Sequence, residues 1–508
     1  MSIRIALVSL YVIENNGVRF LAAMLRNAGF TVYEIYFKDY RHHHFDEPTP
    51  REIDNFIELL TTLHVDLVGF SVRAGAYLAV ARDLTNLVKE RFGVPVIWGG
   101  PHVSFAPEQV VGFADYLSIG ESEDAIVELA QALADGRSPE NIANIWTRRG
   151  DRIIRNDVRP LEQNLDRFPF RDYHSHDFKY WIEGRRVSRG DPLVGESIYL
   201  TLSTRGCIFN CSYCDVNVLR RVYRGKGKFF RVRSVDNILA ELRYAVRVFH
   251  NMRRIRFDDE LFPVDPEWIR EFARRYKAEF DFPFDILSDP RVIKDDDIRV
   301  LVDAGLDNVL LGIQAAEGLN RKLFNRHQKD ETVREVAQIL HRHGVTGGYQ
   351  IILDTPKTVR DDRRALLDLL LAIPRPFDLY TFSMSYWPGA RLTEELVAEG
   401  IITENDVEGA DNKVLRQFRV DLGADRPVEE QFWIALYHLT SKRIVPKAWI
   451  RRWSNSERLR RNPRPLIWLS DLLGFAKLGW RAVLMIKSRE LTWNMVRRWL
   501  NVRSPASL

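Results

Sequence analysis

The chain reads as an α/β protein with a helical C-terminal appendage, and three observations predict this. First, short β-branched runs alternate with amphipathic helical stretches over residues 1–135 and again over 198–400. Second, a hydrophobic fraction of 45% with 28% charged residues is the balance of an ordinary globular protein, while 508 residues are too many for one compact domain. Third, charge is segregated: from Arg451 onward 13 basic residues face only Glu457, Asp471 and Glu490, so the net charge of +5 belongs to a basic tail on an acidic body. The expected organisation is a doubly wound, Rossmann-like domain over 1–135, a turn-rich linker over 136–197, a second α/β domain over 198–400 and a basic, mainly helical region over 401–508.

In the first domain the expected strands are Ile3–Leu10, Thr31–Ile35, Leu67–Ser71, Pro95–Gly99 and Tyr116–Ile119, with helices Val18–Asn27, Tyr77–Phe92 and Asp124–Asp135 between them. The apolar run from Ile3 to Ile13 is short, contains Arg4 and is followed by Asn15 and Asn16, so it reads as a buried strand and not as a secretory signal. Ligands of such sheets bind beyond the carboxyl ends of the strands. Those ends carry Asn15-Asn16-Gly17, Ser71, Gly99-Gly100-Pro101-His102 and Gly120-Glu121. Small residues there let a large planar or phosphate-bearing ligand approach the backbone, and helix amino termini favour its anionic part; glycines after strands also serve as plain turn formers. GxGxxG is absent after the first strand, which argues against a nicotinamide enzyme. His42-His43-His44, between Tyr40 and Pro48, reads as a solvated loop more readily than as a metal site.

The chain has three cysteines, too few for a disulfide framework, which points to a reducing, cytoplasmic setting. All three fall within eight positions, Cys207, Cys211 and Cys214, directly after the apolar strand Ile198–Ser203. Three thiolates at CxxxCxxC spacing can wrap one face of an iron–sulfur cube and leave one iron open. The alternatives are a zinc site completed by a distant histidine and three unrelated free thiols.

Three segments of the first domain resemble the cobalamin (B12)-binding domain family: Gly17 leading into Phe20–Phe30, Gly99-Gly100-Pro101-His102, and Ile119-Gly120-Glu121. That family's DxHxxG signature is missing. Counting back from Gly17, Val12 and Glu14 stand where its Asp and His would be, so a bound cobalamin would lack that lower ligand. The cysteine motif looks like that of the radical S-adenosylmethionine (SAM) superfamily. The order of the two domains resembles the cobalamin-binding radical SAM enzymes, which include methyltransferases and the anaerobic magnesium-protoporphyrin monomethyl ester cyclase.

The resemblance covers about residues 1 to 400 and carries several expectations. It implies a 4Fe–4S cluster on Cys207, Cys211 and Cys214, with SAM chelating the open iron and an electron donor to reduce the cluster. It implies a partial (βα)6 barrel, for which Ile198–Ser203, Arg254–Phe257, Phe284–Ser288, Asn308–Gly312, Thr346–Leu353 and Asp378–Ser385 serve as strands. Barrel sites gather at strand carboxyl ends, so SAM contacts are expected from Tyr213, Asp258-Asp259-Glu260, Ser288, Arg291, Gln314 and Leu353. Cobalamin contacts are expected from Asn15, Asn16, Gly17, Ser71, Gly99, Gly100, Pro101, His102, Gly120 and Glu121. An acidic turn after a strand also serves as a helix cap, so Asp258 and Asp259 have that reading too. The activity implied is modification of an unactivated carbon, above all by methyl transfer. Radical cyclisation or rearrangement is the first alternative, and a non-catalytic cobalamin or redox sensor the second.

In the tail, Pro465–Lys487 places Ser470, Gly474, Lys477 and Arg481 at steps of four, three and four, one narrow polar stripe on an apolar helix. Asp471, Lys477 and Arg481 disfavour a spanning helix. The expectations are peripheral membrane contact through residues 465–487, or a terminal helix packed on the barrel with its arginines solvated. Tryptophans flanked by arginines suit a headgroup boundary and hint at a small, hydrophobic substrate; nucleic-acid binding is not expected, since no recognisable module is present.

Overall fold

A computed structural model describes residues 3–39, 47–407, 426–493 and 495–496; His42-His43-His44 lies outside the described residues. The chain divides into two compact units. The first comprises Met1–Val194, Tyr213–Arg231 and Ser385–Asn412, and the second Gly195–Ser212, Val232–Met384 and Lys413–Leu508.

In the first unit five parallel strands stand in the order β5-β4-β3-β1-β2: β1 (Arg4–Leu10), β2 (Thr31–Phe37), β3 (Leu67–Ser71), β4 (Val96–Gly99) and β5 (Tyr116–Ser118). Successive residues point to opposite faces and both faces are covered. Ala6, Val8, Phe37, Phe70 and Trp98 pack into one core, and Ile5, Leu7, Val32, Leu67 and Ile97 into the other. The covering helices are α1 (Asn16–Asn27), α2 (Pro50–Leu63), α3 (Leu78–Phe92) and α4 (Glu123–Ala134). Helix α2 was not among the expected elements, although Thr49-Pro50-Arg51-Glu52 encodes its start: Thr49 and Glu52 form a capping box, with Pro50 in the first turn.

The stretch read as a linker lengthens this sheet at both edges. β6 (Ile145–Arg149) and β7 (Arg152–Arg155) form a hairpin antiparallel to β5, while β8 (Lys179–Glu183) runs parallel to β2 and pairs with β9 (Arg186–Arg189). They satisfy backbone groups that bare edges at β2 and β5 would leave open. A buried ionic network fastens β8 to α1 and β2: Arg19 and Lys179 both bind Asp191, and Arg26 binds Glu34 and Asp172 at 2.7 Å each. Burial alone would raise the Asp191 carboxyl, but the charges of Arg19 and Lys179 outweigh it and hold the group at about 2.

The second unit carries six parallel strands in sequential order: β10 (Ile198–Thr201), β11 (Arg254–Phe257), β12 (Phe284–Ser288), β13 (Leu306–Gln314), β14 (Thr346–Leu353) and β15 (Phe377–Ser383). A strand order without reversal is that of an open (βα)6 barrel segment. Its crossovers include α5 (Val235–Val248), α6 (Pro266–Glu279), α7 (Asp295–Asp303), α8 (Asp330–Arg342) and α9 (Arg360–Ala372). Phe257, Phe272, Tyr276 and Phe284 interlock edge-on between α6 and the sheet. Helix α10 (Val428–Thr440) is apolar nearly all round and correspondingly buried from Phe432 to Tyr437. Helix α11 (Arg464–Lys487) packs against it.

Candidate cofactor-binding active site

Beyond β10 the chain turns over a buried carboxylate. Asp259, at the end of β11, accepts the amides of Ser203 and Thr204 at 2.7 Å each and their hydroxyls at 2.7 and 3.0 Å. Burial pushes its carboxyl up to about 6, partly offset by these four donors. Its oxygens are thus engaged by the turn that leads into the cysteine loop. The neighbouring acids differ: Asp258 pairs with Arg256 at 3.1 Å, and Glu260 is exposed.

Cys207, Cys211 and Cys214 are not joined in disulfides, Cys211 buried and the other two half-buried, as is Tyr213. The middle of the loop is strapped to the segment after β13. Ser212 donates its amide to the Phe324 carbonyl at 3.0 Å and its hydroxyl to the Leu323 carbonyl at 2.6 Å, and Asn325 donates to the Asn210 carbonyl at 2.8 Å. Arg326, buried, donates to Cys211 Sγ at 3.4 Å, to Asp289 and Gln328 at 2.8 Å and to the Gly312 carbonyl at 2.5 Å. Asp289 also receives a two-pronged contact from Arg291 at 2.8 and 2.7 Å, and the Arg291 guanidinium lies 3.5 Å from the Phe209 ring centre. Burial would raise the Asp289 carboxyl, but the Arg291 hydrogen bonds and the two guanidinium charges hold it below the usual range.

Arg291, expected toward SAM, is therefore engaged by Asp289 and Phe209. Ser288 stands half-buried at the end of β12, and Gln314 ends β13 at a register shift with φ of 61°. Leu353 is buried at the end of β14, and the next residue, Asp354, takes the Arg426 fork at 2.9 Å and the Ser383 hydroxyl at 2.7 Å. Asp289, Arg326 and Arg426 escaped the sequence reading. Arg326 lies 115 residues from Cys211, and a lone arginine after a short helix carries no spacing signal.

In the first unit the expected cobalamin residues cluster at the strand ends but have distinct duties. Asn15 caps α1 by accepting the Val18 amide at 3.1 Å, and donates to Ser9 and Ser71 hydroxyls at 2.9 and 3.0 Å. Asn16 accepts Arg171 at 2.5 Å. Pro101 opens a short helix, Pro101–Phe105, in which His102 is buried. A Cβ on Gly100, whose φ is 108°, would sit 2.8 Å from the Val72 carbonyl oxygen. One on Gly120 would sit 2.1 Å from the Tyr223 hydroxyl, to which the Glu121 amide donates at 2.5 Å. The Glu121 carboxylate is paired with Arg231. The smallness of Gly100 and Gly120 thus serves chain packing, whereas a Cβ at Gly17 or Gly99 would meet Asn15 Oδ1 at 3.4 Å or Ser118 Cβ at 3.7 Å, ordinary contacts, so chain packing does not require a glycine at either position.

The B12 binding domain family matches residues 4–130 and the radical SAM superfamily matches residues 201–370. The chain thus joins a B12 binding domain to a radical SAM domain, a pair whose cofactors are cobalamin, a 4Fe–4S cluster and SAM. It is similar to an uncharacterized methyltransferase of Pyrococcus horikoshii, 24% identical over 66% of this chain and 70% of the relative. It is also similar to the bacteriochlorophyllide d C-8(2)-methyltransferase of Chlorobaculum tepidum, 22% identical over 68% of this chain and 71% of that protein. The anaerobic magnesium-protoporphyrin IX monomethyl ester cyclase of Rubrivivax gelatinosus is 23% identical over 72% and 65%. The same fold occurs in two solved structures, each 16% identical. They are the radical SAM methyltransferase TsrM of Kitasatospora setae, with TM-score 0.61 over 92% of this chain and all of that one, and the cobalamin-dependent enzyme OxsB, with TM-score 0.64 over all of this chain and 85% of that one.

The residues present suit these cofactors. Three thiols on one loop, with no fourth cysteine in the sequence, match a cluster that keeps one iron open. Gly17 after β1 and Gly99 at the end of β4 carry no side chain, which suits close approach of a large cofactor, and Glu14, not a histidine, stands at the position of the B12 family's cobalt-ligating residue.

Proposed function

We propose that this enzyme transfers a methyl group to an unactivated carbon of a small, hydrophobic molecule. The observation that carries the reading is the presence in one chain of a B12 binding domain and a CxxxCxxC loop at the carboxyl end of the first strand of a six-stranded barrel. The named methyltransferases among its relatives support methylation. In this reading Cys207, Cys211 and Cys214 hold the cluster; Tyr213, Ser288, Gln314, Glu260 and Leu353 line the SAM side; and Asn16, Gly17, Ser71 and Gly99 border the cobalamin. Together the cofactors supply a carbon-centred hydrogen abstraction and a transferable methyl group. The chain's own part is to shape the cluster loop through Asp259, to screen Cys211 with Arg326, and to fix Asp354 with Arg426. An electron donor reduces the cluster, the setting is cytoplasmic, and residues 465–487 meet a membrane surface.

The test is turnover of anaerobically reconstituted enzyme with methyl-labelled SAM and candidate hydrophobic substrates. Label in the product is the expected result; products without label overturn methyl transfer. The similarity to the magnesium-protoporphyrin cyclase favours a second reading, ring closure, which the same experiment detects as an unlabelled, oxidised product.

A further inference from the structure

Helix α11 turns its polar stripe inward. Its buried residues are Leu466 and Ser470, and Lys477 donates to the Asp378 carboxylate at 2.5 Å and to the Phe377 carbonyl at 3.2 Å. Arg481 binds the other oxygen of Asp378, a buried residue at the start of β15. Just beyond the helix, Glu490 receives Arg254, at the start of β11, and its carbonyl receives the Ser197 hydroxyl ahead of β10. The tail is thus fastened to the amino ends of the strands, the end of the barrel away from the cysteine loop.

At 3.6 residues per turn, the face opposite that stripe is Trp468, Leu472, Phe475, Gly479, Val483 and Ile486. Among the described residues nothing covers it: Trp468 is 67% exposed, Phe475 56% and Ile486 61%, with Leu472, Leu478, Trp480, Val483 and Leu484 exposed beside them. A contiguous apolar face of this kind marks a docking surface. Exposed basic residues stand at both ends of the helix, Arg461 and Arg464 at its start and Lys487 and Arg489 at its end, and Arg451, Arg452 and Arg458 lie on the preceding short helices. Two copies meeting face to face about a two-fold axis would bring these basic ends together. An anionic bilayer meets both demands at once, apolar depth for the face and phosphates for its ends. Among the described residues no helix is long and apolar enough to cross a membrane, so the helix lies on it.

We propose that α11 docks on an anionic lipid surface through the Trp468–Leu472–Phe475–Ile486 face, with its polar stripe spent on holding the barrel. The contact is an anchor remote from the cysteine loop, and it deepens the membrane contact stated above without depending on methyl transfer. The test is flotation of the full-length, cluster-loaded protein with vesicles of phosphatidylcholine alone or mixed equally with phosphatidylglycerol. The mixed vesicles should carry the protein up. Leu472→Glu with Phe475→Glu should cut the floated fraction about tenfold, and Arg464→Gln or Lys487→Gln about fivefold each. Unchanged cluster absorbance in each variant shows that the fold persists. Failure of the parent protein to float with mixed vesicles, or undiminished flotation of the double variant, overturns the proposal. So does a lipid-free dimer in sedimentation velocity that the double variant splits, which assigns the face to a second copy. Flotation requires no turnover, so it stands or falls separately from the enzymatic reading.

Discussion

At the scale of single residues, the informative side chains are those whose charge is spent inside the protein. Asp259 meets four donors in a buried turn, and its carboxyl is raised to about 6 from 3.8. A group raised by folding stabilises fully below its unfolded value and loses that contribution as pH climbs from 3.8 to 6. Asp259→Asn should remove this slope and keep SAM binding, measured by calorimetry on the reconstituted protein, because one amide oxygen still serves the two backbone donors. Asp259→Ala strands those donors and should cost about 3 kcal/mol, roughly 1–3 kcal/mol being typical of each unsatisfied buried group. Loss of SAM affinity in Asp259→Asn would instead show that the carboxylate itself holds the ligand. Arg326 offers a second check. A guanidinium hydrogen bond to a cluster thiolate favours the reduced state, so Arg326→Met should move the cluster midpoint to more negative potential in a spectroscopically monitored redox titration. Arg326→Lys should recover part of the shift.

At the scale of elements, two contacts decide how strands and helices are held. Tyr223 seals the end of β5 through Gly120 and the Glu121 amide. Gly120→Ala adds a clash to a backbone of φ 74°, and should cost about 1–3 kcal/mol in denaturant unfolding. Combining it with Tyr223→Phe, which removes the clashing hydroxyl, should cost less than the sum of the two single changes. In α10, burial lowers His438 to about 4 from 6.5, with the charges of Lys442 and Lys477 adding to the effect. The folded state keeps this imidazole neutral. Stability is therefore level above pH 6.5 and falls as pH drops from 6.5 to 4, by about 3 kcal/mol in total. His438→Gln should flatten that part of the profile of unfolding midpoint against pH.

At the scale of the whole molecule, helix α11 of the basic tail packs as part of the second unit. Asp378 receives both Lys477 and Arg481, so Asp378→Ala should loosen α11 and raise its hydrogen exchange and proteolysis while the strands stay protected. Equal protection in parent and variant would show that packing on α10 alone retains the helix.

Much of this was legible in the chain itself, and the limits have a physical origin. Strand period, β-branched runs and the cysteine spacing are local patterns, so the six barrel strands were read within about two residues, and the three cysteines lie on the loop after the first of them. The pair β8 and β9 at the edge of the first sheet was not, because Arg186–Arg189 has no apolar face and becomes a strand only by pairing with β8. The same holds for the site. Spacing named Asp259 and Arg291 as polar groups at strand ends, but only the tertiary structure decided that one closes a turn and the other is held by Asp289. Sequence periodicity likewise determined that α11 has a narrow polar stripe and a broad apolar face. Which of the two meets the barrel depended on a single buried carboxylate at Asp378, a long-range partner that no helical period contains.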